Sequence, residues 1–238
     1  MTTSALTSSS PTYRPAAEPF VLKNLYRVGA IAALITLLLI PIQAVVFIAW
    51  PPPITAAGYF ALLQSNKLLG LLSLDLLYVV DNALLIPIFL ALYVALRRDS
   101  QPFMALGLGF GLVGIASLFA SNTAFDMLSL SDGYAAATTE AQKAMYLAAG
   151  QAMLATYAGT AYHVSYVLGS LAGIVVSAVM LRSRSFGKAA GYLGIISNVL
   201  GFGLYVPTIG VYLSLLSVVP FLAIWYALVA LRLWRLGS

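Results

Sequence analysis

The sequence predicts an all-α, polytopic membrane bundle: six transmembrane helices, plus an extracytoplasmic helix between the third and fourth. Three observations predict it. Only 8% of the residues are charged and 61% are hydrophobic, whereas soluble domains carry about 25% charged residues. The apolar residues fall into runs near the roughly 20 residues that cross a bilayer. Those runs lack the polar/apolar alternation of barrel strands, and backbone in lipid must otherwise pair within a helix.

Residues 1 to 19 are rich in Ser, Thr, Pro and Ala and read as a disordered cytoplasmic tail. The remainder, 20 to 238, reads as one transmembrane domain. Its first span is Val28 to Trp50, too long for a signal-peptide core and followed by Pro51-Pro52-Pro53 in place of a cleavage site. The second is Leu68 to Leu96, ending at Arg97-Arg98-Asp99. It exceeds the bilayer thickness, so it should tilt, kink at Pro87 or protrude. The third span is Phe103 to Phe125, the fourth Val164 to Leu181, the fifth Ala189 to Val206 and the sixth Val211 to Leu231. Between spans three and four, Thr139 and Gln142 have capping-box spacing, which predicts a helix from Glu140. That segment is open between a helix on the membrane surface, an outer cap on the bundle, and an early start to span four.

Charge placement predicts the orientation. With the N-terminus inside, Arg14, Lys23, Arg27, Arg97, Arg98, Arg182, Arg184, Lys188, Arg232 and Arg235 are cytoplasmic, and only Lys67 and Lys143 are outside. A seventh span at 140 to 162 would move five of those ten outside and erase the positive-inside bias. Both termini are therefore expected in the cytoplasm. The basic residues sit singly or in pairs at span ends, which argues against nucleic-acid binding.

Gly107 and Gly111 in span three, and Gly169 and Gly173 in span four, are spaced for close helix approach in lipid. They predict packing within the bundle, or else contact with a second copy or a membrane partner.

The candidate ligand- or proton-binding residues are the polar ones that lipid makes costly. Span two holds Asp75, Tyr78, Asp81 and Asn82. An aspartate at the bilayer centre costs roughly 2.5–3.5 kcal/mol on insertion scales. Asp75, Tyr78 and Asn82 share one face of a continuous helix, with Asp81 roughly 10 Å deeper than Asp75. Pro87 leaves the carbonyl of Ala83, two residues beyond Asp81, without its helical donor. Asn122 and Asp126 close span three, His163 opens span four, and Asn198 lies mid-way along span five. A pocket opening outward would have the span-two carboxylates as its deeper wall.

The familiar catalytic motifs are absent. There is no cysteine and one histidine, which removes thiolate chemistry and the usual zinc sites. No serine-nucleophile elbow, phosphate loop or zinc-protease motif occurs. The sequence therefore predicts no metal, no cofactor and no catalytic residue. Three functional classes remain: a binding or transport protein using buried carboxylates, a non-catalytic accessory protein packing on a partner or lipid, and, least supported, an intramembrane lipid-modifying enzyme.

From span two to span five the chain resembles a large family of small bacterial six-span proteins known only as a domain of unknown function. The resemblance lies in Asp75 through Arg98, in His163-Val-Ser-Tyr-Val-Leu-Gly169, and in Arg182 to Lys188 leading into Gly191-Tyr-Leu-Gly194. The last turn departs from the family pattern, with Phe186 and Tyr192 near the place where similar proteins carry Pro and Trp. The resemblance implies the six-span layout and a bacterial plasma membrane.

Overall fold

The computed structural model of the chain describes residues 18 to 238, so the tail predicted for 1 to 19 lies outside them up to position 17. The described residues are helical nearly throughout. Four stretches are long and apolar enough to cross a membrane: Leu22–Ala49, Leu76–Ala136, Glu140–Met180 and Tyr212–Gly237.

Helix α1 (Glu18–Ala49) starts ahead of the predicted span and runs to the triple proline, which cannot donate to a continuing helix. Its small residues Ala30, Ala33 and Thr36 are buried, while Val28, Ile31, Leu38, Ile42 and Val45 are exposed. The inner face is narrow and smooth, so α1 packs closely on its neighbours.

Two short helices follow. In α2 (Ala56–Ser65) the Thr55 hydroxyl accepts from the Gly58 N–H. Asn66 ends α2, and its side chain accepts from the Leu69 N–H to open α3 (Lys67–Ser73). The predicted second span, 68 to 96, is therefore not one continuous helix. It breaks at Leu74 and Asp75, where Asp75 adopts φ 60° and ψ 31°. An aspartate tolerates this left-handed backbone better than most residues.

Helix α4 (Leu76–Ser121) holds the rest of predicted span two and most of predicted span three. Ser100 is non-helical inside it, at φ −163° and ψ 93°. The two arms fold back there as a hairpin. A Cβ at Gly111 would lie 2.8 Å from the Phe89 ring, and the Asn122 amide donates to the Leu74 carbonyl at 2.8 Å. Phe89 and Gly111 lie equally far in sequence from Ser100, and Leu74 and Asn122 meet farther out, as antiparallel arms require.

Predicted span three stops at Ser121, because α5 (Ala124–Ala136) is a separate helix. The capping box of Thr139 and Gln142 is formed and opens α6 (Glu140–Tyr157), as the sequence predicts. A break at Ala158 and Gly159 separates α6 from α7 (Thr160–Met180). Helix α8 (Lys188–Gly201) tightens into a 3-10 turn, Phe202–Tyr205. Then α9 (Gly210–Leu216), a π-turn (Ser217–Leu222) and α10 (Ala223–Gly237) complete the chain. Pro220 lies in the π-turn. Its missing N–H and its ring disfavour an ordinary α turn, and the wider turn accommodates both.

There are two cores. The larger joins α1, both arms of α4, α7, α8 and α10 around Leu92, Leu96, Met104, Val176, Val229 and Leu233. The smaller joins α2, α3, α5 and α6 around Phe60, Leu63, Leu74 and Met127. Helices α2, α3, α5 and α6 thus form a cap on the main bundle, at the end where the α4 hairpin opens. At the other end Lys23 donates to the Ser238 carbonyl at 2.9 Å, and Arg27 to the Gly237 carbonyl at 2.9 Å. Arg97 and Arg98 flank the hairpin turn at that same end, near Tyr26.

Candidate functional site

A cavity of about 540 Å³ lies within the main bundle, on the side nearer the cap. Its walls come from α1, the Asp75 break, both arms of α4, α7, α8 and the segment from α9 to α10. Its volume falls in the range of small-molecule sites, roughly 300–1,000 Å³.

Five of the eight candidate residues line it: Asp75, Tyr78, Asp81, Asn82 and Asn198. The other three sit elsewhere. Asn122 is structural: besides reaching the Leu74 carbonyl, its side-chain oxygen accepts from the Ala124 N–H at 3.1 Å. It holds the mouth of the hairpin against the break that carries Asp75. Asp126 is exposed on α5. His163 is exposed on α7, where Nδ1 lies 3.1 Å from the Tyr205 hydroxyl.

The two aspartates differ. Asp75 is not on the helix face with Tyr78 and Asn82, because its left-handed backbone places it ahead of α4. It still borders the cavity, and both of its carboxyl oxygens are occupied. Gln43 of α1 donates to Oδ1 at 3.3 Å, and the Tyr157 hydroxyl at the end of α6 donates to Oδ2. Asp75 therefore ties the first helix to the cap. Asp81 lies in the second turn of α4, and its Oδ1 is buried with no donor in good hydrogen-bond geometry. The Thr36 hydroxyl stands beside it, also buried, as the one neighbouring side-chain donor, though not in good hydrogen-bond geometry. Neither aspartate forms an ion pair among the described residues.

The remaining polar wall is mostly self-satisfied. Asn82 donates to the Tyr78 carbonyl at 2.9 Å, and Asn198 to the Gly194 carbonyl at 2.7 Å. Ser197 and Ser217 exchange bonds across helices: Ser197 Oγ donates to the Ser217 carbonyl at 3.1 Å, and Ser217 Oγ to the Ser197 carbonyl at 2.8 Å. Tyr166 donates to the Gly201 carbonyl at 2.7 Å. Each bond removes a polar group from competition for a ligand; the asparagine bonds stay within their own helices, while those of Ser197, Ser217 and Tyr166 also fix one element on the next. The exceptions are Asp81 Oδ1, Ser214 Oγ and Trp225 Nε1, which are buried in the wall without a hydrogen-bond partner.

Sequence reasoning passed over several residues here. Gln43 is one of very few polar residues within span one, a visible signal. Tyr162 and Ser165 are two more, and they line the cavity on one face of α7 with Tyr166, Gly169, Ser170 and Gly173; of these four the sequence marks Gly169 and Gly173 for helix packing, and Tyr166 and Ser170 as continuing the polar stripe that His163 opens. Trp225 and Tyr226 read as ordinary apolar residues of the last span, yet both reach the wall.

The glycines divide by use. A Cβ at Gly107 would meet Val176 at 3.0 Å, so this glycine carries the contact of α4 with α7. Gly111 accommodates Phe89, and Gly173 accommodates the Asn198 amide. A Cβ at Gly169 would meet nothing within 4 Å, because the cavity lies beside it. No protein-family model, curated protein or solved structure matches the chain.

Proposed function

We propose that the chain is an integral membrane protein of six spans that binds a small ligand in this cavity, with Asp75 and Asp81 supplying its charged wall. The observation that carries the proposal is the cavity itself. A chain with seven acidic residues in 238 brings two of them to one hollow of about 540 Å³. Ionisable groups at membrane depth are costly, and they mark ligand or ion pathways by default.

The layout supports six spans. The two arms of α4 supply the second and third, α7 the fourth, α8 with its 3-10 turn the fifth, and α9 through α10 the sixth. Together with α1 they enclose the larger core. The basic end supports a cytoplasmic location for both termini and, with the family resemblance, a bacterial plasma membrane. The cap then lies outside the membrane.

The test uses the absence of cysteine. The nanodisc-embedded protein is screened by thermal shift against cationic, anionic and neutral amphiphiles. At least one class is expected to stabilise wild type and to lose its effect in Gly169→Trp, which fills the hollow. In parallel, Gly169→Cys should react with N-ethylmaleimide in the native protein, whereas Gly107→Cys should react only after denaturation. If no class stabilises the protein and Gly169→Cys is as protected as Gly107→Cys, the binding proposal is wrong.

A further inference from the structure

We infer that the ligand of this cavity is an amphiphilic organic monocation of the alkylammonium kind, which enters from the lipid and sets its charge against Asp81. The inference rests on the binding proposal above and adds a chemical class and a route.

The charge balance of the wall comes first. It contains Asp75 and Asp81 and no Lys, Arg or His. An anionic ligand would meet two carboxyl groups and no counter-charge. A zwitterionic phospholipid would bring a phosphate with no basic group to receive it. A single positive charge is the one kind of headgroup this wall complements.

Asp75 and Asp81 are not equivalent hosts. Both oxygens of Asp75 already accept from Gln43 and Tyr157. Asp81 Oδ1 is buried with no donor in good hydrogen-bond geometry, and the one hydroxyl beside the carboxyl is that of Thr36. A buried acceptor without a well-placed donor is costly; of the two carboxyl groups only that of Asp81 is left so, and a cation arriving in the cavity relieves that cost there.

Aromatic rings surround the same space. Phe47, Tyr78, Tyr162, Tyr166, Trp225 and Tyr226 all reach the wall. Ring faces attract organic cations, and aromatic surroundings are a recurring way to hold quaternary ammonium groups. A small metal ion would want an oxygen cage instead, and no cluster of three or more metal-ligating side chains occurs among the described residues.

The route follows from which helices fail to meet. Helix α1 packs on α4 and α10, but makes little or no contact with the segment from α9 through the π-turn. Ile40 and Phe47 line the cavity from the α1 side, and Leu215 and Val219 from the other. Leu215 is 54% exposed and Val219 57% exposed, although both are wall residues. The cavity therefore opens sideways, through a slot lined by apolar side chains. A ligand using that slot needs an apolar portion that partitions into hydrocarbon, and a charge that finds Asp81 at the end of the path.

The experiment measures saturable binding of radiolabelled hexyltrimethylammonium to the protein in phosphatidylglycerol nanodiscs, with empty discs as background. Saturable binding is expected, at least tenfold weaker in Asp81→Asn and unchanged in Asp126→Asn, which lies outside the cavity. The neutral carbon isostere, 2,2-dimethyloctane, should compete at least tenfold less well than the unlabelled cation. Leu215→Trp, at an exposed position on the slot, should slow association at least fivefold without lowering the melting temperature. Leu215→Trp also keeps the test decisive if Asp81→Asn fails to fold. Equal competition by the neutral isostere, wild-type binding by Asp81→Asn, or unslowed association in Leu215→Trp would each overturn the inference. Displacement by phosphatidylethanolamine included in the discs would assign the site to a zwitterionic headgroup and also overturn it. In these cases the binding proposal stands if the amphiphile screen still gives a hit that Gly169→Trp abolishes. Failure of both experiments removes both.

Discussion

At Asp75 three parts of the chain meet. Gln43 brings α1, Tyr157 brings the end of α6, and the residue itself marks the break between α3 and α4. Hydrogen bonds to a charged group contribute about 1.5–3 kcal/mol each when buried. Tyr157→Phe keeps the ring and removes the donor, so it should destabilise the protein by about that amount, measured by denaturant titration in mild detergent. Gln43→Leu should cost less, since its bond is longer at 3.3 Å. An equal or smaller loss for Tyr157→Phe would show that the carboxyl is held by something other than these two donors. The sequence displays Asp75 clearly as a charge within a long apolar run. It hides both partners, because helical periodicity reports only neighbours on the same helix, and these lie 32 and 82 residues away. Asp81 is as legible as Asp75 in the sequence, and only the fold separates the occupied carboxyl from the vacant one.

The helices show a similar division. Long apolar runs place α1, the arms of α4 and α7, because lipid-crossing length is a composition signal. The capping box places the start of α6, because two side chains satisfy two backbone donors at a fixed spacing. The short helices α2 and α5 are illegible: their ten and thirteen residues are stabilised by packing on each other around Phe60 and Met127, not by propensity. The break at Asp75 is hidden for a related reason. No Gly or Pro marks it, and a left-handed aspartate is specified by its surroundings. Helix α7 offers a paired test on one element. Gly173→Leu would drive a side chain into the Asn198 amide and should cost about 1–3 kcal/mol. Gly169→Ala projects into open space and should change stability by less than about 0.5 kcal/mol. Thermal unfolding of the two variants side by side distinguishes the packed glycine from the cavity glycine. Equal losses would mean that the hollow beside Gly169 is closed in the membrane.

The whole molecule has two unlike ends. One gathers Lys23, Arg27, Arg97 and Arg98 with both ends of the described chain. The other carries a compact helical cap, whose single described tie between α3 and α5 by charge is Lys67 to Asp132 at 3.0 Å. Both partners of that pair are more than half exposed, so Lys67→Ala should change stability by no more than about 1 kcal/mol. The proposed orientation makes a sharper prediction. In intact cells, Glu140→Cys on the cap should react with a membrane-impermeant maleimide. Ser183→Cys, beside the basic turn after α7, should stay unlabelled until the membrane is permeabilised. The reverse pattern would invert the molecule and move the cavity's polar end to the cytoplasmic half. This asymmetry is the part of the fold most legible from the sequence, because it depends on which runs carry Arg and Lys at their ends and not on any side-chain contact.

The π-turn at Ser217–Leu222 has a consequence for how this chain varies. There the Ala223 N–H reaches back five residues to the Val218 carbonyl, one more than an α-helix allows. A turn of this kind is equivalent to a single residue inserted into an otherwise regular helix. Such an insertion shifts the phase of everything before it by about 100° relative to everything after it, at 3.6 residues per turn. α9 and α10 thus present different compass bearings to the bundle: one aims Ser214 at the hollow, the other Trp225 and Tyr226. Losing one residue from this stretch, with Pro220 replaced, would return the helix to a single phase while leaving its length and hydropathy almost untouched. The same bundle would then carry a differently lined interior, so a one-residue indel could retune what the hollow accepts.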